Sequence, residues 1–222
     1  NCIYCECGLN ENHRTRSKLP TRAEVKEALI HKLSSMQAEG VAPDVITFAG
    51  NGEPTMHPEF AGIIDDTIET RNRFFPKAKI AVLSNSTMLY KEDVFQALNK
   101  IEDNILKLDS ISDSRIGQLN VPNSPAFTFD RLLEQLCRFN GNLIIQTMFL
   151  KGEVNGESVT NTTEHEISGW LEALKQIKPK QVMIYTIDRE TPVKNLKKVT
   201  KDELEAIADR ARQEGFEVMV SA

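Results

Sequence analysis

The sequence predicts an α/β protein built on parallel strands, and two observations carry that expectation. Short aliphatic and β-branched runs alternate with stretches of helical period along most of the 222 residues. The junctions carry helix-start and helix-stop chemistry. Thr21 with Glu24 and Thr200 with Glu203 have capping-box spacing, and Gly40, Asn140-Gly141 and Gly215 close helices. Regular strand–helix alternation implies right-handed crossovers and a parallel sheet, closed or open.

The elements follow in order. A helix is expected over residues 21–39, with Val25, Ala28, Leu29, Leu33 and Met36 on one face. Pro43-Asp44 leads into a buried-type strand over 45–49. A helix over 58–75 ends at Pro76, and a strand over 79–83 runs into Ser84-Asn85-Ser86. A helix over 91–101 precedes a strand over 105–109. A helix over 129–139 precedes a strand over 143–149. A helix over 164–177 stops near Pro179, followed by a strand over 182–186. A helix over 200–214 and a strand over 216–220 complete the chain. Residues 8–20 and 112–128 read as long irregular segments, and loops of that length in compact domains are often functional. No linker divides the chain, so residues 1–222 read as a single domain.

Composition narrows the function classes. A hydrophobic fraction of 40% and a charged fraction of 27% are those of a soluble globular protein. No apolar run approaches the roughly 18–20 residues of a membrane helix, so no membrane partner is expected. A net charge of −5 argues against a general nucleic-acid binder. Three of the 4 cysteines, Cys2, Cys5 and Cys7, crowd together. That crowding strains a disulfide framework and suits soft-metal ligation in a reducing cytoplasm. The sequons at Asn85 and Asn161 are then chance matches, and Cys137 reads as a small buried hydrophobe. The chain starts at Asn1 without an initiator Met, so a preceding segment is expected.

In parallel α/β folds the chemistry sits at the carboxyl ends of the strands. That rule selects residues 50–54, 84–86, Asp109 and Ser110, 151–155 and 188–191. Two of the motifs are specific. Cys2-Ile3-Tyr4-Cys5 is a Cys-x-x-Cys with an aromatic before the second thiol, and Gly50-Asn51-Gly52-Glu53-Pro54 follows the first expected strand.

Together these resemble the radical S-adenosylmethionine (SAM) superfamily, whose motif is Cys-x3-Cys-x2-Cys followed by a Gly-Gly-Glu-Pro loop. Cys2 and Cys5 match the second and third cysteines, and Tyr4 matches the aromatic. The first cysteine would fall four positions ahead of Cys2. Asn51 stands where the loop's first Gly is usual. Leu108-Asp109 and Gln146-Thr147 with Lys151-Gly152 are similar to radical SAM proteins related to wyosine-forming tRNA enzymes. The resemblance implies a partial parallel (βα)6 barrel of the radical SAM type, with its first strand ahead of residue 1.

The resemblance also implies function. A [4Fe–4S] cluster held by three thiolates leaves one iron open for SAM, whose cleavage yields a 5′-deoxyadenosyl radical that abstracts hydrogen from a substrate. Cys2 and Cys5 would bind the metal. Gly50, Asn51, Gly52, Glu53, Pro54, Ser84, Asn85, Asp109, Gln146 and Tyr185 would line the cofactor. Gly52 would allow close approach, Glu53 and backbone carbonyls would receive the methionine ammonium, and Pro54 would fix the turn. Ser84, Asn85 and Asp109 would contact the SAM ribose or carboxylate, and Tyr185 and Thr186 would flank the adenine. The substrate stays open among a small molecule, a protein glycine and a tRNA, with flavodoxin or ferredoxin as reductant.

Plainer readings compete at each position. Residues 50–54 also read as a strand-to-helix turn. Cys2 and Cys5, with Cys7 and His13, also read as a structural zinc site in a non-catalytic interaction domain. A barrel that has lost its cluster is a further alternative. Ser84, Asn85 and Asp109 serve equally well as turn or capping residues. Gln146 is expected to line a cavity, since a polar side chain inside a barrel needs a partner. His57 reads either as a site contact or as a helix-start contact, and Asp188 and Arg189 as a local ion pair or a substrate contact. His13, His31 and His165 read as surface residues, Trp170 as packing and residues 194–198 as a solvated loop.

Overall fold

The computed structural model describes residues 2–6, 8–9, 19–50 and 52–222. Cys7, His13 and Asn51, named above as candidate ligand, zinc donor and loop residue, lie outside the described residues. The chain divides into two compact units, Thr15–Ile105 on one hand and Asn1–Arg14 with Leu106–Ala222 on the other.

In the Thr15–Ile105 unit, helix α1 (Arg22–Ala38) begins at the capping box expected from the sequence, with both reciprocal bonds between Thr21 and Glu24 present. It leads to strand β1 (Val45–Phe48), helix α2 (Phe60–Phe74), strand β2 (Lys79–Ser84), helix α3 (Glu92–Asn99) and the start of strand β3 (Asp103–Lys107). Strands β1 and β2 pair in parallel from Val45 opposite Lys79 to Phe48 opposite Val82. Phe60, Ile63 and Ile64 of α2, Val94, Ala97 and Leu98 of α3, and Ile80 and Val82 of β2 are buried and form the core. Helices α1 and α2 are tied by Arg22 and Lys26, which both reach Asp66, at 2.6 and 3.2 Å.

In the larger unit, helix α4 (Asp113–Leu119) and helix α5 (Phe129–Cys137) precede strand β4 (Ile144–Met148). Strands β5 (Leu150–Val154) and β6 (Glu157–Ser158), helix α6 (Glu164–Ile177), strands β7 (Gln181–Tyr185) and β8 (Leu196–Lys198), helix α7 (Lys201–Gln213) and strand β9 (Val218–Ser221) follow. Strands β4, β7 and β9 are parallel neighbours. Trp170 and Phe149 pack in a T-shaped pair at 5.4 Å between centroids, and the Trp170 N–H donates to Thr147 Oγ1. Trp170 is therefore core, as expected. The architecture is α/β with mostly parallel pairing, as the alternation of motifs predicted.

Two expectations are corrected. Residues 112–128 are not wholly irregular: Ser112 caps α4 by accepting from Arg115 N–H at 3.3 Å. Residues 194–198 are not simply a solvated loop, because β8 pairs antiparallel with β5, Leu196 opposite Gly152. Gly152 permits that pairing. Its φ is +148°, and a Cβ there would stand 2.6 Å from the Asn195 carbonyl oxygen.

Candidate functional site

The Cys2–Cys5 segment is a tight turn, since Cys5 N–H donates to Cys2 O at 3.0 Å, and Gly8 N–H repeats the pattern onto Cys5 O at 2.8 Å. The turn separates the four side chains by role. Ile3 and Tyr4 are buried among Leu119, Met148, Leu150 and Val159, while Cys2 and Cys5 are half-buried free thiols. Ile3 N–H also donates to Leu119 O at 2.9 Å, so the turn occupies a carbonyl that the end of α4 would otherwise leave without a partner.

Beneath the turn lies a buried polar cluster. Asp109 follows β3, and its carboxylate accepts from four donors. Tyr4 O–H and Asn120 Nδ2, the latter at 2.7 Å, reach Oδ2. Met148 N–H at 2.9 Å and Lys107 Nζ at 3.3 Å reach Oδ1. Lys107 donates onward to Tyr185 O–H at 2.6 Å and lies over the rings of Tyr4 and Tyr185, 4.9 and 4.8 Å from their centroids. Burial alone would push the Lys107 ammonium down. Asp109 and then Tyr185 and Cys2 outweigh it and hold its pKa above the ordinary lysine value. Burial, reinforced by Asp109 and Cys2, raises the Tyr4 phenol well above its usual range. Asn161 locks the backbone here, donating to Asp109 O at 2.8 Å and Met148 O at 2.7 Å and accepting from Leu150 N–H at 2.9 Å.

The Gly-Glu-Pro loop of the other unit is organised by Glu53. Its Oε1 accepts from Ser84 Oγ at 2.8 Å, Thr55 N–H at 3.2 Å and the Thr55 hydroxyl; its Oε2 accepts from Asn85 N–H at 2.6 Å. Pro54 opens a short 3-10 turn, Pro54–Met56. Gly52 has φ +136°, a region side-chain-bearing residues rarely adopt, and among the described residues beyond its chain neighbours no atom lies within 4 Å of where its Cβ would be. The Glu53 carboxylate of this loop is thus engaged at both oxygens. His57 serves the start of the helices: Nδ1 accepts from Glu59 N–H at 3.1 Å and Nε2 meets Pro20 O at 2.8 Å. Asn85 Oδ1 accepts from Thr87 N–H at 3.0 Å, an Asx turn.

The sequence-selected residues therefore fall into two groups. Gly50, Gly52, Glu53, Pro54, Ser84 and Asn85 belong to one unit, and Cys2, Cys5, Asp109, Gln146 and Tyr185 to the other. Gln146 shares its strand face with Met148, is half-buried, and its side chain makes no hydrogen bond among the described residues. Asp188 and Arg189 do not pair with each other; Arg189 reaches Glu6 at 3.3 Å and Asp188 reaches Lys198 at 3.7 Å. Sequence reasoning missed Lys107, Asn120, Asn161 and Thr55. Lys107 had a signal, because strand period two puts it on the face of Asp109.

Among the described residues no group of three or more His, Cys, Asp or Glu is placed to hold a metal ion. Cys2 and Cys5 by themselves fit two positions of a three-thiolate site. They are soft donors on one turn, and the Asn120 amide donates to Cys2 Sγ at 3.6 Å.

No family model matches the chain. It is 30% identical over 212 residues to a UPF0026 protein of Helicobacter pylori, covering 92% of this chain and 62% of that protein. It is 26% identical over 209 residues to a protein named GTPase Obg from Brachyspira hyodysenteriae, covering 92% of this chain and 28% of that one. The chain thus spans less than two thirds of these relatives. Among solved structures, SuiB of Streptococcus suis bound to S-adenosylmethionine matches at TM-score 0.68 and 15% identity, over 100% of this chain and 47% of that one. TYW1 with a lysine–pyruvate adduct matches at TM-score 0.63 and 16% identity, over 96% and 68%. A radical SAM methyltransferase from Sphaerobacter thermophilus matches at TM-score 0.65 and 12% identity, over 91% and 57%. The chain carries the fold of the radical SAM superfamily, the family that its cysteine pair and Gly-Glu-Pro loop resemble.

Proposed function

We propose that residues 1–222 form one radical SAM domain of an enzyme. The observation that carries this reading is the Cys2–Cys5 turn, whose two thiols are free and half-buried while Ile3 and Tyr4 anchor it in the core. Cys2 and Cys5 would hold two corners of a [4Fe–4S] cluster, with the remaining thiolate supplied from ahead of Cys2. The chemistry such a cluster supplies, when bound together with SAM, is reductive cleavage to methionine and a 5′-deoxyadenosyl radical that abstracts hydrogen from substrate.

The chain's own residues bind and orient. Gly50 and Gly52, with Asn51, would offer backbone groups to the amino-acid end of SAM, Gly52 by its positive φ. Glu53, whose oxygens are already engaged, would act by fixing the loop to Ser84 and Asn85, with Pro54 setting the turn. Asp109, likewise saturated, would hold the cysteine turn, and Tyr185 and Gln146 would line the cofactor side. Lys107 is held cationic by Asp109, so it would act as a fixed charge and not as an amine nucleophile.

The substrate class stays as the sequence leaves it, among a small molecule, a protein glycine and a tRNA; SuiB, of the same fold, has been captured with its precursor peptide. A flavodoxin or ferredoxin would supply the electron. The thiols of Cys2, Cys5 and Cys137 are free, which fits the reducing cytoplasm. No described helix is long and apolar enough to cross a membrane. The test is 5′-deoxyadenosine formation, followed by mass spectrometry, from the natural protein reconstituted anaerobically with iron and sulfide and given SAM and dithionite. Product that disappears in Cys5→Ala supports the reading. No product, together with stoichiometric zinc, overturns it in favour of a metal-stabilised binding module.

A further inference from the structure

We propose that Asn120 is a positioning residue for Cys2, and that the C-terminal end of α4 is the clamp that sets the geometry of the cysteine turn. This rests on the radical SAM reading only for its cluster-dependent part. Asn120 is the residue that ends α4, and its own N–H continues the helical pattern to Ile116 O. Its side-chain amide meets three acceptors at once: Cys2 Sγ at 3.6 Å, Tyr4 Oη at 3.1 Å and Asp109 Oδ2 at 2.7 Å. An amide nitrogen has two hydrogens, so one is shared, and only one orientation of the group serves all three. Oδ1 in that place would face a carboxylate and a sulfur, so the amide orientation is fixed by chemistry.

One residue earlier, Leu119 O accepts from Ile3 N–H at 2.9 Å. Backbone and side chain of consecutive residues therefore grip consecutive residues of the turn, Ile3 and then Cys2 with Tyr4. The donors are distributed unevenly between the thiols. Cys2 receives the Asn120 N–H, whereas no side-chain donor to Cys5 occurs among the described residues. Among the described residues the two sulfurs of one short motif thus differ in their donors.

Two consequences can be measured. In the apoprotein the Asn120 donor restrains Cys2 Sγ, so its removal changes Cys2 and not Cys5. In the loaded protein a hydrogen bond to a ligating sulfur stabilises the more negative, reduced state and so raises the reduction potential. Loss of partners that orient ligands typically costs 10–100-fold in metal affinity.

The experiment compares the natural protein with Asn120→Asp, which keeps size but removes the donor and sets a second carboxylate beside Asp109, and Asn120→Ala, which removes the donor without that clash. In the apoprotein, iodoacetamide alkylation of each cysteine is followed by peptide mass spectrometry. In the reconstituted protein, EPR-monitored redox titration and iron release to a chelator are recorded. The expected results are a several-fold change in the Cys2 alkylation rate with Cys5 unchanged, a lower midpoint potential, and iron release at least about 10-fold faster in both variants. Unchanged Cys2 reactivity in two folded variants would overturn the clamp. Equal changes at Cys2 and Cys5 with a collapsed melting transition would also overturn it, since the effect would then be global. A Cys2-selective effect in a protein that assembles no cluster would sink the radical SAM reading and leave the clamp standing.

Discussion

Glu53 in one unit and Asp109 in the other each stand just beyond a strand and accept four hydrogen bonds, yet their partners differ in kind. Glu53 is held by two hydroxyls and two backbone N–H groups, all neutral. Asp109 is held by a phenol, an amide and a backbone N–H, together with the ammonium of Lys107, whose side chain is only 16% exposed. The first carboxylate is stabilised by oriented dipoles and can lose its charge without stranding another. The second is one half of a buried ion pair, and its removal takes a counter-charge from Lys107. Taking one charge out of a buried pair is among the more costly changes a fold can undergo.

That difference sets the order of effects. The largest belongs to Asp109→Asn, expected to cost about 3–5 kcal/mol by urea unfolding. Adding Lys107→Met should recover a large part of the loss, because both charges are then gone. If Asp109→Asn costs less than about 1 kcal/mol, or if Lys107→Met recovers nothing, the charge-balance account of this cluster is wrong.

Glu53→Gln comes next, at about 1–3 kcal/mol. The substituted amide still accepts at one oxygen but turns the other position into a donor, facing Asn85 N–H or Ser84 Oγ. Hydrogen exchange should quicken at the amides of Asn85 and Thr55 and leave the Asp109 region unchanged. Equal protection in both forms would show that the loop is held by something else.

Asn104 supplies the contrast of a buried polar group with no partner. Both atoms of its amide are buried without a hydrogen bond among the described residues. Asn104→Leu should be neutral or stabilise by about 1 kcal/mol, read as a shift in melting temperature, because the desolvated amide is gone. A clear destabilisation would reveal a partner for that amide.

The smallest effect is electrostatic and lies on α2. Hydrogen bonding from Arg22, reinforced by Lys26, holds the Asp66 carboxyl at about 2, below the ordinary aspartate range. A folded-state value below the unfolded one stabilises above the unfolded pKa of about 3.9 and is lost as pH falls through the folded value. The difference in urea midpoint between natural protein and Asp66→Asn should therefore be constant at neutral pH and close between about pH 4 and pH 2. Arg22 is largely exposed, so the contribution is about 1 kcal/mol at most. A difference that persists below pH 2 would assign it to packing.

How much of this was legible depends on the local signal. The starts of α1 and α7 were plain because each is marked by a Thr and Glu three residues apart, and both capping boxes form. Helix α4 was missed because seven residues with two buried apolar positions, Ile116 and Leu119, cannot display a helical period. Strand β3 begins and ends two residues earlier than expected. At Asp109 a side-chain oxygen, and no longer a backbone carbonyl, takes the Met148 N–H, so regular pairing ends there. The cysteine turn and the Gly-Glu-Pro loop were visible as motifs, and so were Glu53 and Asp109 as polar residues at strand ends. Their saturation was not, because it depends on Thr55, Lys107 and Asn120, whose relation to them is set by folding. Asn120 lies in a stretch without periodicity and has no signal in the sequence at all.

The most direct test of the account is EPR spectroscopy of the natural protein, reconstituted anaerobically and reduced with dithionite, with and without SAM. The account predicts a reduced [4Fe–4S] signal that changes on adding SAM and is lost in Cys2→Ala. A silent spectrum from protein carrying stoichiometric zinc, or a signal indifferent to both SAM and Cys2, would contradict it.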